Sequence, residues 1–371
     1  MRELHVLHGE YGPGLPYSCT YIRLLQPLSH PSVAPRLSFT HGTHMRDGSD
    51  PDLVVVERQP PGVSDGPVPE AERLVRTLAE RRVPFVFATD DNLLDLNRDR
   101  PWEAFPEDEL RAAVRLLARR AAGVVVSTEA LAERFRRLNP RTVIVPNAID
   151  ERLFGPPGEV RRRGVPFTIG YMGTRTHDRD LRMVLGPLRN VLARAAGAVR
   201  LEVVGVVDEA SLAAYFEGLP VARLDPGTDE AYPRFPGWMR RSLRWDLALA
   251  PLEVDDFTIC KSDLKYLDYG ALGIPGLFSD VRPYRETIRH GETGLLVPDA
   301  RAAWEEAIEG LIADEPRRQR LAEAARDEVY RSRTLATQAT RWLEAFTELM
   351  PGPSEGTPRS GRFPTGVRRR I

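Results

Sequence analysis

Two adjacent carboxylates, Asp90 and Asp91, directly follow the apolar run PFVFAT and precede Asn92. A carboxylate pair at the end of a buried strand can orient hydroxyl groups, act as a base or hold a metal ion, and it can equally cap a helix beginning at Asn92 or Leu93. The run FTIGYMG ends at Gly173, and in the TRTHDRDL that follows, Thr174, Arg175, Thr176 and His177 lead into a helix expected to start near Asp178. Hydroxyls, a guanidinium, an imidazole and helix N-terminal amides in one loop suit a phosphate. The segment WDLALAPLEVDDFTICKSDLKYLDYGALGIPGLFSD is the densest in candidate groups. With a helix starting near Ser262, Lys261 stands at its mouth, and Lys265 and Asp268 lie about one turn apart near one face. Lysines in a cleft can neutralise a diphosphate, and a carboxylate deeper along the helix can accept both hydroxyls of a ribose. A solvent-exposed ion pair is the simpler account of the same spacing.

Near the N-terminus, GEYGPG places Gly9, Gly12 and Gly14 after the first strand signal, in a loop where backbone can approach a ligand and amides can face an anion. Its spacing is G-x-x-G-x-G, broken by Pro13, so it is not the dinucleotide fingerprint. His41 and His44 in FTHGTHMRDG read as loop residues that could bring an imidazole to a cleft.

The elements that must position these groups alternate. Short Val-, Ile- and Phe-rich runs near residue 5 and at 52–58, 84–89, 123–128 and 142–147 are separated by amphipathic stretches at 69–82, 107–122 and 128–138. The pattern restarts at 167–173, 201–205, 247–251 and 275–280. That is the signature of βαβ units in two parallel sheets, with ligands beyond the carboxyl ends of the strands. The expected division is an N-terminal Rossmann-like domain over 1–150, a linker over 151–166 and a second Rossmann-like domain over 167–330. A C-terminal helix over 331–350 should pack back on the first domain. The Pro-, Gly-, Ser- and Arg-rich segment 351–371 reads as a disordered basic tail.

The chain has 371 residues, more than the roughly 250 to 300 at which one core stops growing. Its formal net charge of −1 argues against a nucleic-acid partner. Two cysteines, Cys19 and Cys260, indicate neither a disulfide framework nor a zinc site, and fit a reducing cytoplasm. No apolar run reaches the about 18 residues of a membrane span, and the start of the chain is too polar for a secretory signal. The Arg-rich segments 111–120 and 134–137 could meet anionic lipid peripherally, although solvated helix faces explain them as well.

Four stretches, in order, resemble the retaining glycosyltransferases of the GT-B fold, the "group 1" or family-4-like superfamily. They are VVVSTEALAERF, VIVPNAIDERLF, TIGYMGTRTHDRDL and the long LKYLDYGALGIPGLFSDVRPYRETIRHGETGLLVPD. The resemblance covers residues 124–345 well and the first 120 in outline. It implies an α/β, GT-B architecture, two Rossmann-like domains facing each other across a cleft, and transfer of a hexosyl-type sugar from a nucleotide diphosphate donor to a carbohydrate, lipid or small-molecule hydroxyl with retention. It also implies no cofactor and no metal, the nucleotide sugar being a co-substrate. By position, Asp268 looks like the family's ribose-binding acidic residue, normally Glu, and Cys260 stands where an earlier Glu is usual. Gly173, Thr174, Arg175, Lys261 and Lys265 fall at the donor site, His177 and the pair Asp90 and Asp91 at the reacting centre, and Gly12 and Gly14 on the acceptor side. Two other readings keep the fold: a sugar-nucleotide epimerase, and a non-catalytic sugar-nucleotide-binding partner subunit.

Overall fold

The computed structural model describes residues 2–45, 48, 50–58, 65–95, 107–158, 160 and 165–350. The basic tail read at 351–371 and part of the 151–166 linker lie outside them. The first lobe carries β1 (Arg2–Leu7), the short β2 (Glu10–Gly12) and β3 (Leu15–Pro16), β4 (Leu37–Gly42), β5 (Leu53–Glu57), β6 (Phe85–Thr89), β7 (Gly123–Val126) and β8 (Thr142–Ile144). Six of them form a parallel sheet in the order β4-β1-β5-β6-β7-β8. The second lobe carries β9 (Phe167–Gly173), β10 (Val199–Gly205), β11 (Val221–Leu224), β12 (Leu247–Ala250), β13 (Gly276–Ser279) and β14 (Leu295–Val297). Their order is β11-β10-β9-β12-β13-β14, again parallel throughout.

In β5, β6, β7 and β12 every residue is buried, because helices cover both faces of each sheet and unbroken apolar runs fit that setting better than alternation. The strand order reverses between β1 and β5 in one sheet and between β9 and β12 in the other. Crevices open at such reversals, beyond the strand ends. The segments after β1, β5, β6, β9 and β12 are therefore the ones placed to meet a ligand.

In the two six-stranded sheets, three strands differ from the sequence reading. FTHG, expected as loop, is the end of β4, an edge strand of mixed exposure whose polar residues hide its period. VARL and LLV form β11 and β14 at the two edges of the second sheet, too short to register as apolar runs. The C-terminal helix expected over 331–350 follows the helices Arg301–Ala313 and Glu315–Ser332 and is itself two helices, Leu335–Gln338 and Thr340–Leu349.

The last of these helices returns to the first lobe. Leu335, Trp342, Leu343, Phe346 and Leu349 share one buried cluster with Leu4, Val6, Val55, Val86 and Val125 from its sheet. The crossing is pinned by backbone bonds from Ile149 N to Arg333 O at 2.9 Å and from Leu335 N to Ile149 O at 2.8 Å. Trp342 is 1% exposed and lies 5.4 Å beneath the guanidinium of Arg23. Replacing Trp342 by alanine is expected to cost about 3–5 kcal/mol, read as a lower urea midpoint.

Candidate active site

On the second-lobe side, β9 ends at Gly173 and the chain turns through Arg175–His177 into the helix Asp178–Arg194. A Cβ on Gly173 would stand 2.9 Å from the His177 ring, so only glycine lets the turn close over the strand end. Thr174 and Arg175 are exposed, and the Thr174 and Thr176 hydroxyls lie 2.8 Å apart. His177 Nδ1 is 2.6 Å from Asp180 Oδ2 and 3.4 Å from Lys265 Nζ. Burial, then the nearby Lys265 charge, push the imidazole down to about 4 despite the Asp180 bond. Held neutral near pH 7, His177 brings no positive charge to a phosphate. Lys265 is the cation there, itself lowered to about 8 by burial and standing 5.2 Å over the Tyr171 ring.

The segment after β12 crosses to the other lobe. Phe257 and Cys260, both buried, complete the hydrophobic core of the first lobe. Asn92 Nδ2 donates to Asp256 O at 2.7 Å, and Thr128 Oγ1 donates to Cys260 O at 3.0 Å. Cys260 is thus a core residue of the contact between lobes, and its thiol, raised to about 11 mainly by burial, is not a nucleophile. Lys261 emerges beside it, with Nζ 4.8 Å over the Phe257 ring and 3.5 Å from Asp91 Oδ1 across the cleft. Further bonds tie the lobes: Asn147 Nδ2 donates to Ser262 Oγ at 2.8 Å, and Arg282 is bidentate to Glu133 at 2.8 and 2.9 Å.

The helix begins at Leu264, two residues later than expected from the sequence. Asp263 makes no cap, because its carboxylate takes Arg333 at 2.7 Å and the Thr287 hydroxyl at 2.9 Å. Lys265 and Asp268 do not form the exposed ion pair that their spacing allowed. Asp268 is 6% exposed, its Oδ1 is buried with no partner, and burial pushes its carboxyl up to about 7 against the pull of Lys265. A buried acceptor with no donor costs about 1–3 kcal/mol, a debt that a ligand hydroxyl would remove.

In the first lobe, Asp90 and Asp91 follow β6, but no helix begins at Asn92 or Leu93, so they cap nothing. Asp91 pairs with Arg58 at 3.0 Å as well as with Lys261, and one Asp90 oxygen is buried without a partner. GEYGPG is the β2–β3 hairpin, and Gly14 N donates to the Glu10 carboxylate at 3.0 Å, so that amide is already taken and is not offered to a ligand. Neither Gly12 nor Gly14 has an atom within 4 Å of where a Cβ would sit, and the loop is open there. His41 bonds His8 at 3.0 Å, and the carbonyl of His44 meets the His5 ring at 2.9 Å, so both belong to a histidine cluster around the end of β1.

Arg58 lies beside Asp91, with Glu57 buried and Cys19 half-buried next to Asp90, and the sequence reading missed all three. Glu57-Arg58 directly follows DLVVV, and the strand-end rule that selected Asp90 selects them too. Among the described residues, Cys19, Glu57 and Asp90 are the three whose ligand atoms come within 4.8 Å of one another. Arg58 Nη1 lies 3.6 Å from Cys19 Sγ, which sets a fixed cation where a metal ion would need a thiolate.

The profile described as "Glycosyl transferase 4-like domain" matches residues 4–148, and that described as "Glycosyl transferases group 1" matches residues 264–328. Together they span more than half of the chain, in the order the two lobes require. The chain belongs to the group 1 glycosyltransferases. Solved structures of similar fold include Anabaena HepE in complex with UDP and glucose, 15% identical with a TM-score of 0.64, covering 94% of this chain and 100% of that one. Sucrose-phosphate synthase from Thermosynechococcus elongatus is 14% identical with a TM-score of 0.65, over 94% of this chain and 99% of its own. WaaG, a glycosyltransferase involved in lipopolysaccharide biosynthesis, is 15% identical with a TM-score of 0.58, over 94% of this chain and all of its own. No curated protein matches the chain in sequence. The fold of this glycosyltransferase is GT-B, two Rossmann-like domains with parallel sheets. Among the described residues, no helix is long and apolar enough to cross a membrane.

Proposed function

We propose that this chain transfers a hexosyl group from a nucleoside diphosphate sugar to an acceptor hydroxyl, with retention at the anomeric carbon. The observation that carries the reading is the Lys261–Asp91 contact at 3.5 Å, where a cation from the segment after β12 of the second lobe meets a carboxylate after β6 of the first. The donor diphosphate lies over the Gly173–Thr174 turn, facing Arg175, Lys261 and Lys265. These cations stabilise the charge that grows on the leaving phosphate as the glycosidic C–O bond breaks, the part a metal ion plays elsewhere. The buried Asp268 oxygen takes the ribose hydroxyls. HepE, similar in fold, has been seen with UDP and with UDP-glucose, which makes UDP-sugars the first donors to try.

Asp90, Asp91 and the open Gly12–Gly14 hairpin hold the acceptor, whose oxygen attacks from the side on which the diphosphate departs. Closure of the lobes keeps water from the reacting carbon. His177 positions Lys265 and does not act as an acid, because it is neutral and bonded to Asp180. The test is transfer from α-linked UDP-sugars to a panel of sugar, lipid and small-molecule acceptors, with product linkage read by proton coupling. An α-linked product supports the reading, and a β-linked product overturns retention. A changed donor sugar formed without acceptor would instead identify an epimerase.

A further inference from the structure

Beneath Asp90 the end of β5 buries a second carboxylate. Glu57 is 1% exposed, and its Oε2 accepts from the Thr20 hydroxyl at 3.1 Å. Its Oε1 has no partner, and neither does Oδ1 of Asp90, although both atoms are buried. The two carboxyl groups and Cys19 Sγ approach within 4.8 Å of one another. Two ionised carboxylates so placed repel each other, and each leaves an acceptor unmet.

A proton or a metal ion could fill the gap, and the surrounding charges decide between them. Arg58 contacts Cys19 at 3.6 Å and pairs with Asp91 at 3.0 Å. Arg23, buried, is held by Val145 O and by Asn147 Oδ1 at 2.8 Å, and it acts on both Glu57 and Asp90. Lys261 faces Asp90 and Asp91 from the opposite lobe, and Tyr17 stands near Glu57. Three fixed cations, Arg23, Arg58 and Lys261, already balance Glu57, Asp90 and Asp91, so a divalent ion would leave two positive charges in excess and a proton only one. The smaller excess favours the proton.

We propose that Glu57 and Asp90 share one proton, carried on Glu57, and that Glu57 is thereby a positioning residue for the acceptor. Glu57 is the deeper of the two, and Asp90 has Lys261 beside it in addition to the arginines. Burial raises both carboxyls, Glu57 to about 7, in the direction that a shared proton requires. Glu57 donates from below to the inner oxygen of Asp90, which leaves Asp90 an anion of fixed orientation toward an incoming hydroxyl. The acceptor role rests on the function proposed above, whereas the shared proton does not.

Carboxyl 13C NMR of the full chain, titrated with pH and assigned with Glu57→Gln and Asp90→Asn, tests the proton directly. Glu57 should be protonated at about pH 6, and Asp90→Asn should lower its midpoint by about one unit or more. A Glu57 already ionised at about pH 6, or a midpoint that Asp90→Asn leaves in place, overturns the proposal. Saturable shifts of both carboxyls on adding Zn2+ or Mn2+ would overturn it in favour of a cation. For the positioning role, Glu57→Gln, which still donates, should keep the acceptor KM, and Glu57→Leu should raise it about tenfold with the donor KM unchanged. Equal acceptor KM in the two variants contradicts that role, while the titration still decides the proton.

Discussion

Replacing Lys261 by alanine is expected to lower kcat for sugar transfer about 10²–10³-fold, the usual cost of losing one preorganised group aimed at developing charge. The residue is held for that task. Its ammonium stands over the Phe257 ring and against Asp91, so its position is fixed before the donor arrives. Folding should hardly change, since a partly exposed pair of this kind contributes at most about 1 kcal/mol and Asp91 keeps Arg58 at 3.0 Å. Lys261→Arg, which restores the charge with a different shape, should recover part of the rate. Steady-state kinetics with the donor varied at saturating acceptor separates these outcomes: a rise in donor KM with kcat unchanged would mean that Lys261 binds the donor without stabilising its departure.

Asp268→Asn should do two things that rarely go together, stabilise the free protein and weaken nucleotide binding. Burial raises the Asp268 carboxyl to about 7, above its value in the unfolded chain. Between the ordinary carboxylate range and about pH 7 the folded state therefore binds more protons than the unfolded state, and stability falls as pH rises through that window. Asparagine, of the same shape and uncharged, removes this slope, so the variant should melt higher than the parent above about pH 7. The same change removes an ionised acceptor for the ribose hydroxyls. Charged hydrogen bonds contribute about 1.5–3 kcal/mol, so affinity for a nucleoside diphosphate should fall about 10- to 150-fold. In the parent, affinity should gain from Asp268 ionising between about pH 6 and 7.5, and Asp268→Asn should lack that gain. Calorimetric titration at several pH values measures both.

Much of this site can be read from order along the chain, because ligands of parallel sheets gather after the strands. Gly173 to His177, Lys261 and the pair Asp90 and Asp91 were found that way. What escaped depends on which strands become neighbours. Glu57 lies at a strand end that the same rule marks, but its place beside Asp90 shows only once β5 is paired with β6. Cys260, read as a departure at a position where an acidic residue is usual, belongs to the core of the other lobe, a contact more than a hundred residues away in sequence. The edge strands β4 and β11 are half-exposed and polar, and their pairing partners rather than their own periodicity make them strands. Lys265 and Asp268 had the spacing of a surface pair, and only the packing of their helix turns Asp268 into a buried, unmatched acceptor.

The most direct test of the donor site is thermal stabilisation of the full chain by UDP, GDP, TDP, ADP and their sugars, repeated with Lys261→Ala and Asp268→Asn. A ligand of the folded state at about 100 times its dissociation constant adds about 2.7 kcal/mol, a shift of a few degrees. One nucleotide class should raise the melting temperature of the parent, and at the same concentration the shift should shrink in both variants. Equal shifts in parent and variants, or no shift with any nucleotide for the folded protein, would contradict a donor site between Lys261 and Asp268.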